Sequence, residues 1–190
     1  MIAGIAGLFF LSLMAAPQPG HLAGQALLPR DRAARQAVVT LEGNEKSAPL
    51  AGAMVDQRDK LFAPHVSIIT VGTTVSFPNN DTVFHNVFAY FNAKKFDLGV
   101  YPRGSTKKVR FDKKGVVSLL CNVHSEMSAY IYVADTPYYA VTDKQGRFDI
   151  RNVPPGTYTL RVWHESGAVL NETVTVTVSG APTTLRLKRG

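Results

Sequence analysis

The amino-acid sequence predicts an all-β fold, and three observations point to it. Short runs rich in Val, Ile, Phe and Tyr are separated throughout by Gly, Pro, Asn or Asp, which is the usual pattern of strands and turns. Several runs alternate in polarity, as TVSF at residues 74–77 does, so one face of each such strand is expected to be buried. No window of about 12 residues keeps the 3.6-residue period of an amphipathic helix.

The first group of predicted strands lies between residues 36 and 135. About seven short strands imply a β-sandwich or a small barrel. A short helix or an irregular loop is predicted at AKKFDLG, residues 93–99. In chain order, the predicted strands of this group are QAVVTLEG, HVSIITVG, TTVSFPNN, HNVFAYF, STKKVRFD, GVVSLLC and SAYIYVAD.

A second, smaller β-sandwich is predicted at residues 135–190. Residues 138–150 (YYAVTDKQGRFDI) are predicted to form a hairpin with its turn at DKQG, and a Pro-Pro-Gly turn precedes the next strand. About 55 residues are few for an independent core, so we expect this unit to recruit the strand at residues 36–43. The first domain, residues 50–134, would then be an insertion within the second.

The N-terminal residues 1–26 are predicted to be a signal peptide or a short N-terminal anchor. The segment is apolar as far as Ala16 and breaks at Pro17, which suits a signal-peptide core better than a membrane span of about 20 residues. Cleavage is expected after Ala16 or Ala26. We therefore expect an exported, periplasmic protein that touches a membrane only if this segment is retained.

The chain is basic, with a net charge of +7 among 190 residues, which favours acidic partners. Much of this charge lies in residues 94–114, which form either a solvated strand face or a docking surface for an acidic protein. The candidate docking residues are Lys94, Lys95, Lys107 and Lys108. Nucleic-acid binding is not expected, because the sequence has no helix-turn-helix, RNA-recognition or zinc-finger pattern.

The motif CNVHSEM, residues 121–127, carries the candidate chemistry. It contains the only cysteine of the chain, Cys121, followed by His124 and Met127 at intervals of three residues. A type 1 copper site uses two imidazoles, one thiolate and a weak axial thioether, so this loop offers three of the four ligands. His85, which begins the predicted strand HNVFAYF, is the candidate for the second imidazole.

The sequence around these residues resembles the cupredoxins, the small blue copper proteins, and its loop spacing is most similar to that of amicyanin. The likeness spans roughly residues 55–134 and rests on GTTVSFPNNDTVFHNVF and FDKKGVVSLLCNVHSEMSAYIYV. It implies a Greek-key β-sandwich that binds one copper ion, as Cu(I) or Cu(II), through His85, Cys121, His124 and Met127. It also implies that Asn86 supports the site, with its backbone N–H reaching the cysteine sulfur and its side chain joining the two loops.

The segment after the loop resembles a carboxypeptidase-regulatory-like, or transthyretin-like, β-sandwich. The likeness rests on TDKQGRFDIRNVPPGTYTLRV, residues 142–162. The whole chain is similar to exported proteins described as methylamine-utilisation-like, in which a cupredoxin domain is joined to such a sandwich. The implied function is electron transfer with a redox partner protein. The fold of the second unit by itself implies no chemistry.

Several alternatives remain open at this point. Zinc also suits a site of one cysteine and two histidines, and a copper storage, delivery or envelope-binding module would have the same ligands. Glu126 lies inside the loop, where an oxygen ligand would compete with Met127. An enzyme is not expected, because no nucleophile elbow, phosphate-binding loop, zinc-protease motif or dinucleotide fingerprint is present.

Overall fold

A computed structural model of the chain describes residues 18–90 and 93–189. Among these residues there is no helix with the length and apolarity that a membrane span requires. One 3-10 turn, Pro29–Asp31, interrupts a chain built of short strands. In order, the strands are β1 (Gly20–Leu28), β2 (Arg32–Ala33), β3 (Val38–Glu42), β4 (Asp56–Arg58), β5 (Leu61–Ala63), β6 (Val66–Thr70), β7 (Thr73–Pro78), β8 (His85–Ala89), β9 (Phe96–Tyr101), β10 (Thr106–Phe111), β11 (Gly115–Leu120), β12 (Ser128–Ala134), β13 (Tyr139–Val141), β14 (Arg147–Val153), β15 (Gly156–Trp163), β16 (Ala168–Val176), β17 (Thr183–Arg186) and β18 (Lys188–Arg189).

The first unit is a sandwich of strands β4 to β12. One sheet has the order β6-β12-β11-β8-β9, and strands β7 and β10 form a second, two-stranded layer. The alternating strands point their apolar residues between the layers, so Phe77 of β7, Phe111 of β10 and Leu119 of β11 are fully buried in one core. Cys121 and Met127 belong to the same core.

The second unit is a sandwich whose strands come from both ends of the described chain. One sheet has the order β13-β3-β15-β16-β18, and the other has the order β14-β1-β17, with β2 paired to β1. Its core contains Leu41 of β3, Leu160 of β15 and Ile150 of β14. Strand β3 lies within the predicted recruited segment 36–43, between β13 and β15.

The N-terminal boundary differs from the prediction. Residues 20–28 form β1, which lies between β14 and β17 as an integral strand of the second sandwich. A leader that extends to residue 26 would include most of this strand, so cleavage after Ala26 would remove it, whereas cleavage after Ala16 would not. Residues 1–17 lie outside the described residues.

Two further predictions hold only in part. In the segment AKKFDLG, residues 93–95 are irregular, as one of the two predicted alternatives has it, whereas residues 96–101 belong to β9 beside β8, with Phe96 and Leu98 packed against the first core. The segment 138–150 does turn at Asp143–Gly146, where the Gly146 N–H donates to the Asp143 carbonyl at 3.0 Å. Its two arms nevertheless pair with different partners, β13 with β3 and β14 with β1, so they are not a two-stranded hairpin.

The two units touch through aromatic residues. Trp163, at the end of β15, packs against Tyr130 and Tyr132 of β12, with ring centroids 5.3 and 6.3 Å apart. Beside them, His65 Nε2 lies 2.6 Å from the Glu165 carboxylate across the junction. Trp163 therefore packs between the two units.

Candidate metal centre

The strand pairing brings the two predicted ligand segments to one end of the first sandwich. Strand β11 ends at Leu120, immediately before Cys121, and pairs through Leu120 with Phe88 of β8. His85 is the first residue of β8, so it faces the loop that follows β11. Single ligand atoms of His85, Cys121 and His124 all lie within 4.8 Å of one another, with the first two residues buried and His124 half-buried.

A buried carboxylate orients the His85 ring. His85 Nε2 lies 2.9 Å from Asp81 Oδ2, and a carboxylate only accepts hydrogen bonds, so the ring donates its proton there. Its other nitrogen, Nδ1, is then unprotonated in the neutral ring and available to a metal. Metal-binding histidines are commonly held in this way by a carboxylate on the second nitrogen.

The spacing of the two imidazoles fits a shared ion. His85 Nδ1 and His124 Nδ1 are 3.2 Å apart. Two ring nitrogens that each bind one metal ion at about 2.0–2.1 Å, with an angle near 100°, are separated by roughly that distance. Without an ion, a single proton between the two nitrogens would satisfy the same geometry, so metal titration distinguishes the two states.

Asn86 joins the two loops at the site. Its backbone N–H points to Cys121 Sγ at 3.5 Å, and its side-chain oxygen accepts from the Asn122 N–H at 3.4 Å. Its side-chain nitrogen donates to Asp97 Oδ1 at 2.7 Å. Asn86 is fully buried, and these contacts occupy its amide on both sides, so it fixes the cysteine loop against β8.

The loop favours Met127 over Glu126 as the fourth ligand. Met127 is fully buried in the same core as Cys121, and its backbone N–H donates to the His124 carbonyl at 3.0 Å. Glu126 is exposed, and its carboxylate is not part of the cluster formed by His85, Cys121 and His124. A thioether therefore enters the core at this position and the carboxylate faces water, while ligation by Met127 stays a prediction.

Asp81 was not predicted from the sequence, although the structure gives it a defined place. It accepts hydrogen bonds from the backbone N–H groups of Lys60, at 2.7 Å, and Thr82, at 2.6 Å, as well as from His85. The Lys60 N–H, followed by the His85 ring, holds the pKa of the Asp81 carboxyl well below its ordinary value. Lys60 lies in the two-residue turn between β4 and β5, where both residues have positive φ. Positive φ at both residues of a two-residue turn is the geometry that tight β-hairpins favour.

Asn79 shapes the loop that carries Asp81. In the sequence, Asn79 was only part of the run on which the family likeness rests. Its side-chain nitrogen donates to the carbonyls of Val83, at 2.9 Å, and Tyr101, at 3.0 Å, while its oxygen accepts from the Asp81 N–H. It is fully buried. The only signal for Asp81 in the sequence was a carboxylate four residues before His85, in NNDTVFH.

The four candidate docking lysines do not act as a single group. Lys94 lies 3.5 Å from Asp112, and Lys107 donates to the Leu98 carbonyl while its amine lies 5.1 Å from the Tyr101 ring centroid. Lys95 and Lys108 are exposed. Two of the four lysines are therefore held against the first sandwich, and two project into solvent.

Comparison with known proteins gives a match to one family model and to several solved structures. A family model described as "Polysaccharide lyase family 4, domain II" matches residues 110–185, which include most of the second unit and the end of the first. The model carries neither the carboxypeptidase-regulatory-like nor the methylamine-utilisation-like description. A search of curated proteins found no match.

Solved structures of copper proteins match up to half of this chain. A purple cupredoxin from Nitrosopumilus maritimus is 24% identical over 43% of this chain and 99% of its own length, with a TM-score of 0.40. A copper-containing nitrite reductase from Thermus scotoductus SA-01 is 23% identical over 50% of this chain and 25% of its own length, with a TM-score of 0.43. The reduced Cu(I) form of an amicyanin mutant is 19% identical over 50% of this chain and 98% of its own length, with a TM-score of 0.41.

Proposed function

We propose that this protein binds one copper ion at a type 1 site and transfers electrons. The observation that carries the proposal is the convergence of a thiolate and two imidazoles, whose ligand atoms lie within 4.8 Å of one another. A trigonal set of this composition with a buried methionine nearby is typical of blue copper centres. His85, Cys121 and His124 would hold the ion, with Met127 as the axial ligand.

The protein holds these ligands in place before metal binds. Asp81 fixes the tautomer and direction of His85, and the N–H of Asn86 points to the Cys121 sulfur. Bound copper supplies a one-electron Cu(I)/Cu(II) couple. Because strand β8 and the core hold the ligands on both sides, the chain has little to rearrange when the charge of the site changes.

We propose His124 as the exposed edge of the site. It is half-buried, whereas His85 is fully buried. Phe84, 58% exposed, precedes His85 in the chain, and Val123, 45% exposed, precedes His124. Exposed apolar residues of this size favour contact with a protein partner, so a redox partner would approach here, with Lys95 and Lys108 supplying attraction to an acidic one.

We also propose that the protein is an exported, periplasmic electron carrier rather than an enzyme. The second sandwich is proposed as a spacer of the carboxypeptidase-regulatory-like kind. Its core is apolar and it contributes no residue to the cluster of His85, Cys121 and His124.

Titration of the metal-free protein with Cu(II) tests the proposal. We expect one equivalent to produce an intense thiolate-to-copper band in the visible spectrum and a narrow copper hyperfine pattern. Cys121→Ser removes the thiolate and should abolish the band, whereas Met127→Leu should keep the colour and shift the reduction potential. Cys121→Ser replaces one small buried side chain by another, so near-native circular dichroism is the control for folding.

Three outcomes would contradict the proposal or favour a different function. A colourless Cu(II) complex with ordinary hyperfine coupling would reject the blue-copper site. Stronger retention of zinc than of copper would indicate a zinc site. A band without a measurable reversible potential would favour copper storage or delivery with the same ligands.

A further inference from the structure

A second candidate site lies in the second sandwich, away from the cluster of His85, Cys121 and His124. A cavity of about 700 Å³ is lined by Pro29, Arg30, Arg32, Ser166, Ala168 and Arg189. These residues come from the turn after β1 and the start of β2, from the turn before β16 and the start of β16, and from the end of β18. The volume is within the range of about 300–1,000 Å³ that small-molecule sites occupy.

Three arginines therefore line one cavity without a matching carboxylate. Among residues 18–90 and 93–189, no Asp or Glu oxygen lies within 4.0 Å of the guanidinium groups of Arg30, Arg32 or Arg189. The nearest acid in the chain, Asp31, lies between two of them in sequence but pairs with Arg186 instead. All three arginines are exposed, so a ligand from solution can reach them.

The backbone of the arginine turn is strained. Arg30 has φ 65° and ψ 33°, and Asp31 has φ 55°. Two successive non-glycine residues in the left-handed region are uncommon, and such conformations concentrate at functional sites, where the rest of the structure enforces them. The ion pair of Asp31 with Arg186, 155 residues away in the sequence, ties this turn to β17.

Apart from the arginines, the residues that line the cavity are uncharged, and the nearby Glu165 carboxylate pairs with His65 Nε2 at 2.6 Å. The backbone N–H of Ser166 donates to His164 Nδ1 at 3.1 Å, so that nitrogen is an acceptor, and the Ser166 hydroxyl donates to it at 2.8 Å. Burial lowers the pKa of His164, which agrees with a neutral ring. The arginines therefore dominate the charge of the cavity.

We propose that this cavity, which we call the arginine cavity, binds a compact anion carrying phosphate groups. A guanidinium donates two parallel hydrogen bonds to phosphate or carboxylate oxygens. Three such groups exceed what one carboxylate can accept, whereas a phosphate group offers three strong acceptor oxygens and a charge near −2. A ligand with two linked phosphates matches the charge of three arginines and fits the volume with room for an organic group.

Pyrophosphate and lipid vesicles are the probes that test this site in the full chain. Isothermal titration calorimetry with pyrophosphate should show one binding event in the wild-type protein. The triple variant Arg30→Gln/Arg32→Gln/Arg189→Gln should bind at least about tenfold more weakly, because each lost charged hydrogen bond to the anion contributes substantially. The matched control is Arg103→Gln/Lys113→Gln/Lys114→Gln, which removes the same charge from exposed positions of the first unit and should bind as the wild type does.

A single variant separates binding from folding. Arg30→Gly removes one guanidinium and relieves the positive φ, because glycine adopts this conformation readily. We expect this variant to unfold at the same or a higher temperature than the wild type and to bind pyrophosphate more weakly. The triple variant should keep the wild-type circular dichroism.

The source of the phosphate is distinguished by vesicles of phosphatidylglycerol, with phosphatidylcholine vesicles as the control. Binding to the anionic vesicles that is lost in the triple variant would identify a lipid phosphodiester as the ligand group, and binding of pyrophosphate alone would identify a soluble anion. Equal binding of either probe by the triple variant and the matched control would overturn the proposal, because non-specific attraction to a basic protein would then explain it. Absence of binding to both probes would also overturn it.

Discussion

The two sandwiches differ in how they use buried polar side chains. In the first unit, a group of buried polar side chains surrounds His85. Hydrogen bonds between these side chains and the loop backbone hold the group in place. In the second unit, the main cluster of buried residues is apolar, and two buried threonines bond to the backbone of segments far away in sequence, as Thr142 does by accepting from the Ala37 N–H at 2.8 Å. The buried polar residues near His85 in the first unit are Gln57, Asn79, Asp81 and Asn86.

The buried residues of the second unit stabilise the fold, whereas the buried polar residues of the first unit position the candidate ligands. Burying a polar group is unfavourable unless each of its partners is supplied, so a fold gains little stability from such a group. Asp81 and Asn86 each have several partners, and those partners lead to His85 and Cys121. The polar end of the first unit is therefore best explained by the need to place ligands, whereas the second unit shows what the same strand-and-turn pattern builds without that need.

The largest effect expected from this comparison is on stability in the second unit. Leu41→Ala, in a fully buried position of β3, should lower the free energy of unfolding by about 2–5 kcal/mol, because it removes apolar contacts and leaves a cavity. Urea unfolding measures this, and the spectrum of the copper-loaded protein in native buffer should not change. Leu61→Ala is the matched control at a 59% exposed position, with an expected change within about 0.5 kcal/mol. Equal losses for the two variants would contradict the assignment of β3 to this core.

Asp81→Asn tests the polar end of the first unit. In the metal-free protein at pH 7 it should cost about 1.5–3 kcal/mol, because charged hydrogen bonds from Lys60, Thr82 and His85 are weakened. The pKa of Asp81 is lowered on folding from its ordinary value of 3.8, so its contribution is present above that value and is lost as the pH falls below it. Urea midpoints at pH 7, 4 and 2.5 should therefore fall less steeply with acid in the variant. Parallel pH profiles would show that another carboxylate controls acid sensitivity.

Asn86→Ala should lower the free energy of unfolding by less than Asp81→Asn does. It should also loosen the cysteine loop. We expect a loss of about 1–2 kcal/mol, because the Asn122 N–H and the Asp97 carboxylate each lose a partner. The variant should release copper to a chelator faster than the wild type, because the cysteine loop is no longer tied to β8. Tyr90→Phe is the control, since its hydroxyl reaches the same Asp97 carboxylate at 3.5 Å but not the loop. Unchanged copper release in Asn86→Ala would reject the positioning role.

The smallest effect is expected at the surface. Lys95→Gln/Lys108→Gln should leave the free energy of unfolding within about 0.5 kcal/mol of the wild type. It should lower the rate at which hexacyanoferrate(III) oxidises the reduced protein by about twofold at low salt, and reduce the dependence of that rate on ionic strength. The control Lys144→Gln/Arg147→Gln removes two exposed charges from the second unit and should behave as the wild type. Identical salt dependence in both variants would reject steering by these lysines.

The sequence predicts the parts of the molecule that depend on local pattern and chemical type. Alternation in TVSF and the runs of branched residues predict strands, and the all-β class is confirmed. The residue types of CNVHSEM, with His85 beginning a strand, predict the ligand cluster, and the structure brings His85, Cys121 and His124 together. Local spacing is enough here because three of the four predicted ligands lie within seven residues.

The parts that sequence reasoning did not predict depend on long-range pairing. Nothing local in residues 20–28 distinguishes a strand beside β14 and β17 from the tail of an apolar leader, because both are rich in Leu and Ala. The role of Asp81 depends on an N–H of Lys60, which comes from a hairpin about 20 residues earlier. The arms of residues 138–150 lie in two different sheets because they pair with β1 and β3, which are far away in sequence.

The pairing of β1 with β17 also bears on the order in which the chain folds. All strands of the first sandwich lie between residues 56 and 134, whereas in the second sandwich β1 and β3 pair with strands that begin at residue 139 or later. Closing contacts over such long separations is slow, and domains begin to fold during synthesis from the N-terminal side. The first unit can therefore be complete while β1 and β3 still have unpaired edges. During that interval, those edges are the part of the chain most exposed to aggregation or to a chaperone.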